Sequence, residues 1–289
     1  MRCTFCAIWR ARGPSRSRPP RDVVEQAQRL AMAGYEEIVL AGVHLGHFGR
    51  DLATPTDLGG LLDMLLEVVD PRVRIRISSI DPSEVDLTLA RRLVQDPRLC
   101  RYLHLPLQSG SDGVLRRMRR AYSRTYYSQL VESIHGLDPG FGLGADINVG
   151  FPGETDTEFE QTVDLLERLP LSFYHVFRYS DRPQTAAQRL SGKVPGPVIS
   201  ARSERLRRLG ERKRQTFLQS LIGLELDGVV ESRDAEGNSL VMLDNYSTVR
   251  CAVPAGWERR RVRVQVRSWD GDTLLGSVRD GNADLEMGA

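Results

Sequence analysis

The sequence predicts an α/β protein in which a parallel β/α part is followed by a small antiparallel β-domain. Apolar strand-like runs alternate with helix-like segments through roughly residue 180, an order that favours parallel strands joined by crossover helices. Over about the last 60 residues, apolar and polar residues instead alternate at period two, which is typical of half-buried strands. The chain has 289 residues, 40% of them hydrophobic, which suits one or two domains with a real core.

Five strands are predicted in the parallel part, each a short apolar run bounded by turn residues or by a helix-like segment. They are Glu37–Ala41, Val73–Ser78, Tyr102–Leu105, Gly144–Val149 and Phe173–Phe177. The helices are Arg21–Ala33, Leu58–Val69, Glu84–Gln95, Val114–Arg120, Arg124–Leu137 and Thr155–Leu169. The last helix begins with a capping box, Thr155-Asp-Thr-Glu158, whose two end side chains accept hydrogen bonds from free N–H groups at the helix start.

A long charged helix, Ile199–Ser220, follows the break at Pro195-Gly-Pro197 and separates the two parts. Five further strands come after it: Leu224–Glu231, Leu240–Asp244, Thr248–Val253, Val262–Val266 and Thr273–Val278. In the fourth of them every second residue is valine, so the valines share one face. Asp270-Gly271 is a hairpin turn signal. These features predict a small antiparallel β-barrel of the OB-like type.

The expected domain organisation follows these breaks. Residues 1–197 form the parallel part, residues 198–220 a linker helix, residues 221–281 the β-domain and residues 282–289 a tail. The sequence has no apolar run of about 18 residues and no apolar leader, so neither a membrane span nor a secretory signal is expected. Four cysteines are too few for a disulfide scaffold, which indicates a reducing, cytoplasmic location.

Positive and negative charges are nearly balanced in number but segregated along the chain. Residues 1–21 hold six arginines and no acid, residues 91–124 nine arginines and two aspartates, and residues 200–214 seven basic groups and two glutamates. A GC-rich genome accounts for the preference for arginine over lysine, but not for the clustering. Basic clusters favour a polyanionic partner such as nucleic acid, because each neutralised phosphate releases condensed counterions.

Cys3 and Cys6 form a C-x-x-C pair close to the start of the sequence. The pair fits half a zinc site, a redox dithiol, or two ligands of an iron–sulfur cluster. No second C-x-x-C or histidine pair stands at zinc spacing, and prolines follow where a redox motif would open a helix. The spacing alone leaves the three alternatives open. Cys100 and Cys251 lie among apolar neighbours and are expected to be structural thiols.

Polar and glycine-rich loops follow the predicted strands, at the edge where parallel α/β folds bind ligands. These loops are Gly42-Val-His-Leu-Gly46, Ser78-Ser79, His104 through Gly110, and Gly150-Phe-Pro-Gly-Glu154. Ordinary turn chemistry accounts for their glycines. It accounts less well for the polar side chains that share the rim, which are Ser78, Gln108, Asp146 and Glu154.

Two further features have a structural and a functional interpretation. Gly140-Phe-Gly142-Leu-Gly144 resembles a dinucleotide loop, but it precedes its strand, so we interpret it as a turn. His104 and His175 could be catalytic bases. A lone histidine within an apolar strand is more often a satisfied core residue.

Several runs together resemble the radical S-adenosylmethionine (SAM) methylthiotransferases over nearly the whole chain, to about residue 280. The runs are Cys3-Thr-Phe-Cys6, Ala11-Arg-Gly13, Ser17-Arg-Pro19, Gly34 to His44, Leu105 to Asp112, Met118-Arg-Arg120, Asp146 to Thr155 and His175 to Pro183. The β-rich tail is similar to the family's RNA-binding TRAM domain. Within the family, Pro14 to Pro19 and His175 to Pro183 look most like the branch that acts on N(6)-threonylcarbamoyladenosine at position 37 of tRNA.

The resemblance implies a partial (β/α) radical-SAM barrel, with five of six strands, followed by the TRAM-like barrel. It implies a [4Fe–4S] cluster bound by three cysteines, with Cys3 and Cys6 as the second and third ligands. It further implies S-adenosyl-L-methionine as cofactor, tRNA as substrate, an electron donor as partner, and no membrane contact. The SAM-contacting residues would be Gly42, Val43, Ser78, Ser79, Gln108, Ile147, Val149 and Gly150.

The sequence departs from the family pattern at its start. The first cluster cysteine should lie four residues before Cys3, the first barrel strand should precede the cysteine loop, and the family's N-terminal domain is missing. We therefore expect a fragment or a mis-started chain that is inactive by itself. The alternatives are a non-catalytic RNA-binding remnant and a zinc-binding α/β protein.

Overall fold

The computed structural model describes residues 3–234 and 237–279. Its helices are α1 (Ile8–Arg12), α2 (Pro20–Met32), α3 (Leu58–Val68), α4 (Leu87–Gln95), α5 (Asp112–Met118), α6 (Arg124–Leu137), α7 (Asp156–Arg168) and α8 (Gly196–Ser220). Its strands are β1 (Glu37–Leu40), β2 (Arg74–Ile77), β3 (Tyr102–His104), β4 (Gly142–Val149), β5 (Phe173–Arg178), β6 (Glu225–Arg233), β7 (Ser239–Leu243), β8 (Thr248–Cys251), β9 (Arg261–Trp269) and β10 (Leu274–Val278).

Strands β1 to β5 are parallel and follow one another in chain order. β1 pairs with β2, β3 with β4, and β4 with β5, all in parallel register. A parallel bridge between Ile75 and Leu99 joins β2 to the segment that leads into β3. The prediction of five parallel strands with intervening helices is confirmed, because β-then-α alternation leaves few other ways to bury both kinds of element.

The two faces of this sheet have different roles. One face packs against the helices and forms the main core, which includes Leu62, Leu103 and Ile147. We call the opposite face the inner face. Its side chains are those of Glu37, Val39, Arg74, Arg76, Tyr102, His104, Asp146, Asn148, Phe173, His175 and Phe177.

Several helix boundaries follow from capping. The capping box of α7 is present: Thr155 Oγ1 accepts from the Glu158 N–H at 3.2 Å, and Glu158 Oε2 accepts from the Thr155 N–H at 3.1 Å. The helix predicted from Glu84 begins instead at Leu87, because the Asp86 side chain accepts from the Leu89 N–H and caps α4 there. Helix α1 was not predicted from the sequence.

The interpretation of Gly140-Phe-Gly142-Leu-Gly144 as a turn is wrong beyond its first residue. Gly140 lies in the turn before the strand, but Gly142 and Gly144 lie inside β4 and pair with Tyr102 and His104 of β3. Glycine usually weakens a strand, so two of them in one strand point to close contacts with other parts of the chain.

Strands β6 to β10 form a closed five-stranded barrel in the order β10-β8-β7-β6-β9, with β9 paired back to β10. The valines of β9 point into it: Val262, Val264 and Val266 are buried. Asp270 caps the β9–β10 turn by accepting from two N–H groups. The predicted small antiparallel barrel is present as a closed barrel, except that β8 and β10 run parallel where it closes.

The C-terminal barrel docks against the inner face at the end where the parallel strands begin. Arg74 and Arg76 donate hydrogen bonds to the main-chain carbonyls of residues 227, 242, 243 and 244 at 2.9–3.0 Å. The Glu37 carboxylate lies between the two guanidinium groups. Arg101 pairs with Asp244 at 2.7 Å.

No helix among the described residues is long and apolar enough to cross a membrane.

Candidate functional site

A cavity of about 290 Å³ lies where β3, β4 and β5 end. This volume is close to the lower end of small-molecule sites, roughly 300–1,000 Å³. The cavity is lined by Phe5, Gln108, Asp146, Asn148, Phe177, Arg178, Tyr179, Ser180 and Arg182. It therefore combines aromatic walls with two guanidinium groups and three side chains that carry carbonyl or carboxylate oxygens.

The backbone around Gln108 shapes one wall of the cavity. Gln108 has a φ of +69°, which is uncommon for a residue other than glycine, so neighbouring contacts must hold it there. Its N–H donates to the Asp146 carbonyl at 2.7 Å, and its carbonyl accepts from the Asn148 N–H at 2.8 Å. The buried Asn148 Oδ1 has no hydrogen-bond partner. A bound molecule with an N–H or O–H group could satisfy it.

The loop that carries Cys3 and Cys6 is fixed over this edge of the sheet. The Thr4 N–H donates to the Met118 carbonyl at 3.1 Å, and the Thr4 carbonyl accepts from the Ala187 N–H at 2.9 Å. The Cys6 N–H donates to the Cys3 carbonyl at 3.2 Å, so one tight turn holds both thiols. Both cysteines are half-buried and free.

A buried ion pair supports the cysteine turn. Arg120 Nη1 donates to Cys3 Sγ at 3.2 Å. Arg120 also pairs with Asp81 at 2.5 Å, and both side chains are nearly buried. Arg120 thus connects the cysteine turn to the buried Asp81 carboxylate.

The predicted SAM contacts Gly42 and Val43 are exposed and follow β1 after Ala41. A buried carboxylate lies beside the loop after them: Glu84 Oε1 is 3.4 Å from His44 Nδ1 and 3.3 Å from His47 Nε2. The two imidazole rings stack at 5.5 Å. This arrangement fixes the start of the loop at the same edge of the sheet as the cavity.

The remaining predicted contacts fall into two groups. Ser78 and Ser79 follow β2 at the same edge, half-buried and exposed respectively. The side chains of Ile147 and Val149 are 0% and 1% exposed within the core, so only their backbone can face a ligand. Gly150 is buried with a φ of +82°. Of the predicted contacts, Gln108 is the one that lines the cavity described above.

His104 is buried and also belongs to the wall of the site. Its Nε2 lies 3.0 Å from Asp146 Oδ1, and its Nδ1 lies 3.2 Å from the Tyr102 hydroxyl. Burial raises the pKa of Tyr102, which keeps that hydroxyl protonated. The structural interpretation of His104 as a satisfied buried residue is therefore right, and its partner Asp146 reaches the cavity. His175 is exposed on β5, on the far side of β4 from His104, and the two rings lie 5.8 Å apart.

Sequence reasoning missed several lining residues. Phe5 stands between the two cysteines and packs edge-on against Phe151 at 6.4 Å. Tyr179 packs on the same ring at 5.4 Å. Arg178 and Arg182 had no local signal beyond the polar end of an aromatic run. They reach the cavity only because β5 ends beside β4.

The other predicted features have separate outcomes. Glu154 is buried against Arg202 at 2.7 Å and accepts from the Gly150 N–H at 2.8 Å, so it is structural. Burial raises its pKa despite those partners. Cys100 and Cys251 are buried, as predicted, and burial raises their pKa to about 12 and about 11.

Many arginines of the predicted basic clusters are occupied within the protein. Internal bonds are made in the 91–124 cluster by Arg92, Arg98, Arg101, Arg117, Arg120 and Arg124. In the 200–214 cluster they are made by Arg202, Arg205, Arg208 and Arg214. The linear clusters therefore overstate the basic surface that is open to a polyanion.

Residues 1–166 match the Radical SAM superfamily. The chain is 40% identical over 227 residues to a Thermotoga maritima protein named threonylcarbamoyladenosine tRNA methylthiotransferase MtaB, an alignment that covers 77% of this chain and 51% of that protein. It is 35% identical over 237 residues to a Syntrophomonas wolfei protein named tRNA-2-methylthio-N(6)-dimethylallyladenosine synthase, covering 82% of this chain and 52% of that one. The chain thus spans about half the length of these relatives.

Two solved structures share the fold at low sequence identity. Coproporphyrinogen III oxidase from Escherichia coli, described as a radical SAM enzyme, aligns with a TM-score of 0.54 at 15% identity, over 95% of this chain and 68% of its own. Methylornithine synthase aligns with a TM-score of 0.51 at 15% identity, over 74% of this chain and 59% of its own. Because the superfamily matches more than half of the residues and the fold agrees, this chain belongs to the Radical SAM superfamily.

Proposed function

We propose that the chain acts in tRNA modification, as part of an enzyme that adds a methylthio group to C-2 of N(6)-threonylcarbamoyladenosine at position 37. The observation that carries the proposal is the cavity at the carboxyl ends of β3 to β5. Phe5, which lies between Cys3 and Cys6, lines this cavity, so the cysteine turn lies beside it. The substrate assignment is supported by the higher identity to the relative named for threonylcarbamoyladenosine, 40% against 35%.

The superfamily implies a [4Fe–4S] cluster and S-adenosylmethionine. Cys3 and Cys6 fit two of the three thiolate ligands that such a cluster requires. No group of three His, Cys, Asp or Glu side chains within residues 3–234 and 237–279 is arranged to hold a metal ion. The described residues therefore supply part of the donor set and not all of it.

The roles we assign to this chain's own residues are binding and orientation. Phe5, Phe177 and Tyr179 supply apolar walls for a planar base. Arg178 and Arg182 supply positive charge for a carboxylate or phosphate on the same substrate. The backbone of residues 147–150 is the proposed site of the SAM adenine. Residues 42–43 and 78–79 are the proposed sites of the methionine moiety of SAM.

We assign the C-terminal barrel to the TRAM/OB-like class and to RNA contact. The closed five-stranded barrel and the exposed Arg263 and Arg267 on β9 support this assignment. A tRNA substrate also fits a cytoplasmic location. Helix α8 spans Gly196–Ser220, which supports domain boundaries near residues 197 and 220.

Gene deletion in the protein's own host, followed by mass spectrometry of tRNA nucleosides, tests the proposal. We expect the methylthio group to disappear from threonylcarbamoyladenosine. An allele with Cys3→Ser should give the same loss, whereas the matched allele Cys251→Ser, which changes a buried thiol of the C-terminal barrel, should retain the modification. Loss from dimethylallyladenosine instead would contradict the substrate assignment.

A non-catalytic RNA-binding protein is the second candidate, and the exposed Arg263 and Arg267 on the outside of the C-terminal barrel favour it. It predicts that deletion leaves every methylthio nucleoside unchanged. It also predicts that the purified chain still binds an anticodon stem-loop, with an affinity that falls steeply with salt. A flat salt response would contradict both candidates, because both require arginine–phosphate contacts.

A further inference from the structure

Residues 10–18, which we call the arginine segment, lie between the cysteine turn and α2 and carry four exposed arginines: Arg10, Arg12, Arg16 and Arg18. Arg10 Nη1 donates to the side-chain oxygen of Gln184 at 2.7 Å, and Arg18 donates to that of Gln26. Both acceptors are neutral amides. Among the residues that the structure describes, none of the four guanidinium groups pairs with a carboxylate. In contrast to the two later arginine clusters, this one therefore keeps its positive charge available to a partner.

Contacts near both ends place the arginine segment along the carboxyl edge of the parallel sheet. Near one end, Arg10 contacts Gln184 in the loop that follows β5. Near the other, the Ser17 N–H and hydroxyl donate to the Asp51 carboxylate at 2.9 and 2.5 Å, and Ser17 Oγ accepts from the Gly49 N–H at 2.9 Å. Asp51 and Gly49 belong to the loop that follows β1. Because β1 and β5 are the outermost of the five parallel strands, the segment crosses this edge from one side of the sheet to the other.

The cavity at the ends of β3 to β5 lies beside the arginine segment. Phe5, in the cysteine turn before the segment, lines the cavity, and so does Arg182, which precedes Gln184 in the same loop. The stretch from Arg10 to Ser17 can span at most about 25 Å when it is fully extended. The four arginines are therefore confined to the vicinity of the cavity. When one unit of a polymer occupies the cavity, the neighbouring units lie within reach of these side chains.

We propose that the arginine segment binds the sugar–phosphate backbone of the RNA strand beside the nucleoside in the cavity. Guanidinium groups stay charged at all relevant pH values, and their planar N–H donors fit phosphate oxygens. The carboxylate that contacts the segment, Asp51, accepts from Ser17 and pairs with none of the four arginines. The inference rests on the proposed function, because it takes RNA as the substrate. It adds a second RNA surface, at the reaction site, to the one assigned to the C-terminal barrel.

The salt dependence of RNA binding counts the phosphate contacts. The logarithm of the binding constant falls linearly with the logarithm of the salt concentration, with a slope of about 0.7 for each phosphate contacted on a single strand. Fluorescence anisotropy measures binding of the full chain to a labelled anticodon stem-loop over a range of salt concentrations. The double variant Arg12→Gln/Arg16→Gln should weaken binding and reduce that slope by about 1.4, the value for two lost contacts. The matched control is Arg91→Gln/Arg207→Gln, which removes the same charge from exposed positions on α4 and α8 and should leave the slope unchanged.

Ser17→Ala tests the placement of the segment without changing its charge. It removes the hydroxyl that contacts both Asp51 and Gly49. We expect a lower affinity for the stem-loop, because the freed segment must be ordered on binding, and an unchanged salt slope, because every arginine is retained. The matched control is Ser128→Ala, whose hydroxyl also donates to a carboxylate, that of Glu132 on α6, and whose loss should leave RNA affinity unchanged. An unchanged affinity for Ser17→Ala would contradict the placement of the segment by its contact with Asp51.

The proposal is overturned if Arg12→Gln/Arg16→Gln keeps the steep slope of the wild type, because RNA would then bind elsewhere on the chain; the proposed function would survive that result. It is also overturned if the control on α4 and α8 reduces the slope equally, since net charge alone would then explain the effect. A loss of binding to poly-L-glutamate with unchanged binding to RNA would instead assign the segment to an acidic protein. Failure of the proposed function is a separate result, in which gene deletion leaves the methylthio nucleosides unchanged.

Discussion

Glu37 is the partner of two buried arginines, and Glu37→Gln should cost much of the protein's stability. Its carboxylate accepts from Arg74 Nε at 2.6 Å, from Arg76 Nε at 2.7 Å and from Arg76 Nη2 at 3.0 Å. The two arginine side chains are only 1% and 3% exposed. Glutamine keeps the shape and removes the charge, which leaves two adjacent buried guanidinium groups without the carboxylate that they share.

Breaking a buried pair by removing one partner costs about 3–5 kcal/mol, because the remaining charge stays out of water. We expect that loss in the free energy of unfolding for Glu37→Gln, measured by urea denaturation. It is a large share of the roughly 5–15 kcal/mol that stabilises a typical domain. The matched control is Glu25→Gln, whose pairing with Arg21 is exposed and should contribute less than about 1 kcal/mol.

The same carboxylate gives a signed pH dependence. Burial alone would raise the pKa of Glu37, but Arg74 and Arg76 outweigh that effect and hold it below its usual value of 4.5. A lowered folded pKa stabilises the protein above pH 4.5, and that stability is lost as the pH falls through the folded pKa. The difference in the free energy of unfolding between wild type and Glu37→Gln should therefore become smaller as the pH falls below 4.5. A variant that loses less than about 1 kcal/mol at neutral pH would refute the reasoning.

Three further predictions concern separate parts of the fold. Gly150→Ala should destabilise the protein by about 1 kcal/mol or more, because φ is +82° and the new Cβ would lie 2.4 Å from Ile199. Thr155→Ala should cost about 1 kcal/mol, because it removes the cap of α7. A thiol reagent should modify Cys3 and Cys6 in the folded protein, and the two buried cysteines only after unfolding.

Urea denaturation checks the first two predictions, and a time course of labelling with mass spectrometry checks the third. An unchanged midpoint for Gly150→Ala would mean that helix α8 shifts freely away from β4. An equal stability for Thr155→Ser and Thr155→Ala would contradict the capping role, since serine keeps the hydroxyl. Rapid labelling of Cys100 in the folded state would contradict its burial.

The regular part of the fold could be predicted because its signals are local. Alternating strand and helix periods gave all five parallel strands, and valines at every second position gave the inward face of β9. The capping box fixed the start of α7 for the same reason. Each of these signals lies within a few residues of the structure that it specifies.

The docking of the C-terminal barrel had no such signal. Arg74 and Arg76 alternate with isoleucines, a pattern that ordinarily leaves the arginines in solvent, yet their partners are carbonyls more than 150 residues away. The residues that line the cavity also divide into those that local sequence could predict and those that it could not. Gln108 follows its own strand and could be predicted, whereas Phe5 and Arg182 meet it only through tertiary packing.

At the domain junction, Arg74 and Arg76 bind main-chain carbonyls of residues 227 and 242–244 rather than their side chains. Every amino acid presents that oxygen, so most substitutions at these positions leave the junction's acceptors in place. The outward surface of the barrel can therefore diversify while these hydrogen bonds are kept. Binding of a new partner by that surface would then require no change in Arg74 or Arg76.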